Sequence, residues 1–338
     1  MQAPPATVIG EASRNTRLPY LDGWRGVAIL TVFAGHFLAL PYVNAGRLGV
    51  ELFFVLSGRL MAEILFVERT PLDLFYRRRI ARVWPAMVVF VIAMRLVFTA
   101  PNHLLVRWVD VASALSLTLN YICLYFHRMP VIEHVWSLCI EEWAYILLGL
   151  LAFVTRRSRH NPLPIIALMA ALCVINGVVQ SESGLDYYAV YWRTDVRIAS
   201  ILMATGMVLL FRQYEITMPG WVSLLAGVVG LLLSCEMFPD TLRYSLGTLC
   251  FAVAVASIDT APRWLLQLLS HGAIRQIGLW SFSLYLWQQP FYTLIHTAPR
   301  PLLFAGVVGM GLVSFYLVEQ PLRRYLNSRW SARALATN

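Results

Sequence analysis

The sequence holds no lysine: its 27 basic residues are all arginine, set against 18 acidic ones in 338 residues. Every lysine-based mechanism, Schiff-base chemistry included, is thereby excluded. Charge of both signs is scarce at 13%, where a soluble domain carries about 25%. Only five cysteines occur, Cys123, Cys139, Cys173, Cys235 and Cys250. They lie in or beside apolar segments without metal-type spacing, so inert thiols and no metal site are expected. Internal repeats and low-complexity stretches are missing. No signal peptide is expected either, since the first apolar run is too long for one and carries His36. A Rossmann core, a disulfide scaffold and a disordered regulator are excluded together.

What is present is apolar surplus: 59% hydrophobic residues and a mean hydropathy of +0.64. Apolar runs fall at 24–40, 48–67, 84–100, 109–126, 136–154, 163–179, 196–211, 221–238, 242–258, 279–296 and 302–318. Runs of this length cross about 30 Å of hydrocarbon as helices. The expected fold is therefore all-α, a polytopic helical membrane protein with no soluble domain. The net charge of +9 sits in short loops, which reads as positive-inside orientation rather than nucleic-acid binding. Residues 1–20, Arg69–Arg82, Arg156–Arg159, Arg212, Arg263–Arg275 and Arg323–Arg333 then all face the cytoplasm. Eleven crossings cannot satisfy that assignment. One of the three runs between 84 and 154 must be re-entrant or interfacial, leaving about ten transmembrane helices with both ends inside. The segment 263–278 reads as an amphipathic helix on the cytoplasmic surface. The expected divisions are a cytoplasmic tail 1–20, a transmembrane domain 21–325 and a cytoplasmic tail 326–338.

Charged groups inside apolar spans are costly and direct attention to function. His36 follows Arg25 by eleven residues, which puts both on nearly one helical face about 16 Å apart. Arg25 falls near the cytoplasmic side and His36 near the outer side. A buried histidine serves either catalysis or a hydrogen bond between helices. Glu51 opens the second run at the depth of His36. It can orient the imidazole and stabilise its protonated form, or simply be a satisfied carboxylate at a helix start. Arg59 is expected to pair with Glu63 four residues on. In the stretch Arg77–Arg82, Arg79 and Arg82 share a face, as do Arg78 and Arg82. Guanidinium forks suit phosphate, although topological anchoring explains such a cluster equally. Further polar islands are Glu141 and Glu142 beside Trp136, and Asp195 with Arg197. The outer loop from Glu182 to Trp192 carries Asp186, Tyr187, Tyr188, Tyr191 and Trp192. It is either a sugar-stacking edge or an interfacial aromatic belt.

Six stretches in order carry a resemblance. They are Leu21-Asp22-Gly23-Trp24-Arg25-Gly26-Val27-Ala28 running to His36, Gly49-Val50-Glu51-Leu52-Phe53-Phe54-Val55-Leu56-Ser57-Gly58, Arg78-Arg79-Ile80-Ala81-Arg82-Val83-Trp84-Pro85, Trp136-Ser137-Leu138-Cys139-Ile140-Glu141-Glu142-Trp143, Ser281-Phe282-Ser283-Leu284-Tyr285-Leu286-Trp287 and Glu319-Gln320-Pro321-Leu322-Arg323-Arg324. The chain resembles the acyltransferase 3 family of integral-membrane acyltransferases over nearly its whole length. The Arg25…His36 spacing is the most specific feature.

That resemblance implies about ten spans in a bacterial cytoplasmic membrane and transfer of an acyl group, usually acetyl from acetyl-CoA, to a carbohydrate hydroxyl. Acetyl-CoA is then a donor substrate, with no tightly bound cofactor. The expected partners are acyl-CoA, a carbohydrate or glycolipid acceptor and the bilayer, with no nucleic acid. The resemblance makes His36 the essential histidine, as general base or acyl carrier, and assigns Arg25 and the Arg79/Arg82 pair to the CoA end. From their positions alone, Glu51 is expected as the companion of His36 and Arg78 as a further donor-binding arginine. Trp136, Glu141, Glu142, Tyr187, Trp192, Asp195 and Arg197 remain an acceptor or structural polar set. Two departures stand out. Gln288 occupies a position where family members often have histidine, and Arg59 follows Ser57-Gly58 where an apolar residue is common. Some relatives carry a C-terminal extracytoplasmic esterase-like domain, which this chain is expected to lack. A flippase of lipid-linked glycans and an inactive membrane scaffold are the competing readings.

Overall fold

A computed structural model describes residues 18–38 and 40–336. It is 79% helical, with no strand among the described residues. Most of the expected tail 1–20 lies outside them. The first helix, α1, spans Pro19–Phe37, and α2 spans Ala45–Met61 with one wider turn, Ala62–Val67, continuing it. There follow α3 (Leu72–Val97), α4 (Trp108–Leu115), α5 (Leu119–Tyr125), α6 (Trp136–Ser158) and α7 (Leu163–Glu182). Two short turns, α8 (Tyr187–Tyr191) and α9 (Thr194–Arg197), lead into α10 (Ala199–Gln213), then α11 (Gly220–Leu233), α12 (Asp240–Leu242) and α13 (Thr248–Ala256). The chain closes with α14 (Arg263–Leu269), α15 (Gly272–Tyr292), α16 (Arg300–Ser314) and α17 (Gln320–Ala336). Five of the helical stretches are long and apolar enough to cross a membrane.

The run at 109–126 forms no continuous helix. It breaks into α4 and α5 of eight and seven residues, with Leu117 between them at φ 61°. At 1.5 Å per residue neither piece exceeds about 12 Å, well short of the hydrocarbon thickness. The expected surface helix over 263–278 is corrected. Only Arg263–Leu269 forms a separate helix, and from Gly272 onward the chain already belongs to the long α15. The expected C-terminal tail from 326 is helical through Ala336.

Helix α1 lies between α2 and α15. Glycines bring the backbones together. A Cβ on Gly278 would stand 1.8 Å from the Asp22 carbonyl oxygen, and one on Gly35 would stand 2.0 Å from the Gly46 nitrogen. Small residues at such crossings are how helices pack where no hydrophobic force separates protein from lipid. The direct consequence is a fixed depth for Arg25 and His36 against both neighbours.

Cross-links mark two rims. At the rim where α1 starts, the Tyr20 hydroxyl donates to Asp259 at 2.6 Å, Arg156 donates to the Thr70 carbonyl at 3.0 Å and Arg212 meets Glu63 at 2.7 Å. At the far rim Val43 bridges Cys235, and the Glu236 amide donates to the Tyr42 carbonyl at 2.7 Å. The expected Arg59–Glu63 pair does not form. Arg59 donates to the Val255 and Ala256 carbonyls at 2.7 and 3.2 Å and to Asp259 at 2.6 Å. It caps the last turn of α13, whose carbonyls have no further helical partners.

Candidate active site

His36 is the next-to-last residue of α1 and opens on a far-rim cavity of about 190 Å³, walled by Trp136, Tyr188, Tyr191, Trp192, Tyr285 and Tyr292 among others. Its ring stacks on Tyr292, centroids 4.4 Å apart. Its Nδ1 meets the Oε1 of Gln288. A hydrogen-bond chain fixes which atom donates. The Pro130 carbonyl can only accept, so Gln289 gives its amide nitrogen to it at 2.9 Å. The Gln289 oxygen is then free to accept from the Gln288 nitrogen at 3.4 Å. That leaves the Gln288 oxygen as acceptor, and Nδ1 of His36 must carry the proton. The opposite nitrogen, Nε2, keeps its lone pair. It faces Gly46, where a Cβ would come within 3.3 Å. Glycine there leaves Nε2 open to the cavity.

The aromatic walls come from the 187–192 segment and α6. Trp136 and Trp192 stack at 6.1 Å and 19°, and Tyr188 leans on Trp192 at 5.1 Å. Arg128 lies over the Tyr188 and Trp192 rings at 4.8 and 4.4 Å while binding Glu133 at 2.9 Å. Paired aromatic faces of this kind bind flat apolar patches and leave polar edges for hydrogen bonds.

A second, narrower cavity of about 60 Å³ adjoins the first on the side of the near rim. Arg25, Arg79, Arg82, Ser57 and Glu141 line its polar end, and Val50, Phe53, Phe54 and Tyr285 its apolar end. Arg79 binds Glu141 at 2.8 Å and Glu142 at 3.2 Å and covers the Tyr145 ring at 3.7 Å. The ion pair of Arg25 among the described residues is a long 3.5 Å contact with Asp22. Arg82 makes no ion pair among the described residues. Two of the three guanidinium groups therefore keep donors for an anion. Val50 and Tyr285 belong to both cavities. The Tyr285 hydroxyl is held by Ser137 at 2.6 Å and the His134 carbonyl at 2.9 Å.

Several expected site residues lie elsewhere. Glu51 does not orient His36. It accepts from Arg197 and from Thr248 at 2.7 Å. Val50 takes the cavity-facing position, and one residue further on the helix has turned by about 100°. The same geometry removes Arg78, which is exposed, while Arg79 and Arg82 share the cavity face. Glu141 and Glu142 belong with Arg79 at the arginine end and not with an acceptor. Asp195 binds Arg193 at 2.8 Å and Asn176 at 3.0 Å, outside both cavities. Arg197 is fully buried with Glu51 and covers the Tyr244 ring at 4.2 Å. Tyr187 bonds to the Tyr244 hydroxyl at 2.8 Å, behind the wall that Trp136 and Trp192 form. Arg59 lines neither cavity. Gln289, Gly46, Arg47 and Tyr285 were not singled out in the sequence as site residues. The adjacent amides Gln288-Gln289 inside an apolar run are the signal that marks this part of the site.

The structure is a helical bundle with a half-buried histidine at one rim and a cluster of arginines toward the other. The chain belongs to the acyltransferase-domain family, whose sequence model matches residues 18–319. It is 25% identical over 354 residues to the peptidoglycan O-acetyltransferase OatA of Listeria monocytogenes, covering 91% of this chain and 56% of that one. It is 30% identical over 350 residues to the O-acetyltransferase OatA of Staphylococcus aureus, covering 91% and 57%. The chain thus spans little more than half the length of these relatives. No solved structure matches it significantly.

Proposed function

We propose that this protein is an O-acetyltransferase of the bacterial cytoplasmic membrane, taking acetyl from cytoplasmic acetyl-CoA and delivering it to a glycan hydroxyl on the outer face. The observation that carries this reading is the pair of cavities sharing Val50 and Tyr285, arginines at one end and His36 at the other. The near rim is cytoplasmic by its arginines. Ten crossings, by α1, α2, α3, α6, α7, α10, α11, the α12–α13 unit, α15 and α16, then return both ends to that side. The names of the two relatives favour an acetyl donor and a peptidoglycan-like acceptor.

In this mechanism Arg25 and Arg82 bind CoA phosphates by charge-assisted hydrogen bonds. The pantetheine arm runs between Phe53, Phe54 and Val50 and carries the thioester past Tyr285. It covers the roughly 16 Å of α1 that separates Arg25 from His36. The acceptor sugar lies against Trp136 and Trp192. Nε2 of His36 removes the proton of its hydroxyl as that oxygen attacks the thioester carbonyl. The carbon–sulfur bond breaks, an ester forms, and the CoA thiolate takes the proton from the imidazolium. General-base assistance of this kind contributes about 10²–10⁴-fold. The test is acetyl transfer in membranes supplied with labelled acetyl-CoA and a glycan panel, wild type beside His36→Ala. Loss of transfer with expression and insertion unchanged supports the reading, and appreciable transfer by the variant overturns the role of His36.

A further inference from the structure

Resting on that reading of the far-rim cavity as the acceptor site, we infer that Arg47 gives the site selectivity for acceptors carrying an anionic group next to the acetylated hydroxyl. The side chain lines the His36 cavity and follows Gly46, the residue Nε2 faces. Its guanidinium lies 3.3 Å from the centre of the Tyr187 ring. A ring face attracts the cation but leaves the N–H edge free. No carboxylate forms an ion pair with Arg47 among the described residues. The neighbouring acids are engaged elsewhere: Glu133, on the same cavity, binds Arg128 at 2.9 Å, and Asp240 binds Arg243 at 3.0 Å. Arg47 also stands in the first turn of α2, where the helix dipole already favours negative charge and disfavours a cation. An arginine kept there with no ion-pair partner among the described residues presents a positive charge to the cavity that His36 lines.

The geometry suits a carboxylate or phosphate bound by the guanidinium fork while a hydroxyl of the same ligand reaches Nε2. Two sources offer that chemistry: a carboxylate on the sugar itself, or the phosphate of a lipid carrier holding a neutral sugar. Neutral glycans satisfy only the aromatic wall.

The experiment uses the full chain in lipid nanodiscs and two matched probe pairs. The first is an oligogalacturonide and the same oligomer with its carboxylates reduced to neutral alcohols. The second is a neutral sugar on a prenyl phosphate and its methyl glycoside. Binding is read by calorimetry without acetyl-CoA. The wild type should bind the charged member of at least one pair about tenfold or more tightly, as one charge-assisted hydrogen bond provides. The pair that responds identifies the source. Arg47→Gln should abolish the difference and Arg47→Lys should keep part of it. Equal binding within both pairs, no binding of any probe, or a preference that survives in Arg47→Gln overturns the inference. Because binding is measured without the donor, a retained charge preference with no acetyl transfer contradicts the proposed function alone. Transfer that proceeds without any charge preference contradicts this inference alone.

Discussion

Replacing Gln288 by leucine isolates the contribution of the amide chain behind His36. The substitution removes the acceptor of the Nδ1 proton and leaves that donor buried against an apolar side chain. Gln288 also lines the cavity, but Nε2 of His36 faces the opposite way, toward Gly46. Loss of a buried hydrogen bond costs about 0.5–1.5 kcal/mol, and a donor left unsatisfied about 1–3 kcal/mol. The second figure, which already includes the lost bond, predicts a fall of about 5- to 150-fold in kcat, since 1.4 kcal/mol is a factor of ten. The loss arises because the imidazole is no longer held with Nε2 unprotonated and aimed at the cavity. Gln288→Glu keeps an acceptor for Nδ1 and loses only the 3.4 Å donation to Gln289, so it should retain clearly more activity than leucine. The assay is steady-state acetyl transfer with both substrates varied, beside thermal melting in detergent to confirm folding. Wild-type kcat in a folded Gln288→Leu protein, or equal kcat for leucine and glutamate, would refute the orienting role.

Four other outcomes follow from the geometry. Arg82→Ala should raise the KM for acetyl-CoA with little change in melting temperature. Arg79→Ala should destabilise the protein by about 3–5 kcal/mol, because it strands Glu141 and Glu142 without their partner; thermal melting separates the two. Val50→Phe should narrow the junction between the cavities and depress kcat for propionyl-CoA more than for acetyl-CoA, measured with an acyl-CoA series. Arg197→Met should lower stability by about 3–5 kcal/mol by leaving Glu51 charged and unpaired in the core, whereas the double variant Arg197→Met with Glu51→Leu should recover much of it.

Much of the architecture was legible because hydrophobic length is a strong signal. The arginine distribution asked that one run between 84 and 154 not cross, and the run at 109–126 is broken at Leu117 into two helices too short to span. Arg25 and His36 were legible as opposite ends of one helix because their spacing lies within a single element. The failures came where a partner belongs to a distant segment. Glu51 shares a depth with His36, but its rotation on α2 turns it toward Arg197, which spacing between two different helices does not reveal. Arg78 looked equivalent to Arg79 because both pair by helical periodicity with Arg82. Only the position of α6, which brings Glu141 and Glu142 to Arg79, shows which face is inward. Arg47 was not legible as a site residue because its place on the cavity depends on how α2 packs against α1, which its own segment does not reveal.

The central claim is that donor and acceptor enter from opposite faces and meet at His36. Sealed membrane vesicles of the two orientations test it, with labelled acetyl-CoA supplied outside and a glycan acceptor trapped inside, or the reverse. The account predicts acetylated glycan only when acetyl-CoA is on the face carrying Arg25 and Arg82 and the acceptor is on the face of the Trp136–Trp192 wall. Transfer with both substrates confined to one face, at the rate of the two-sided arrangement, would contradict it.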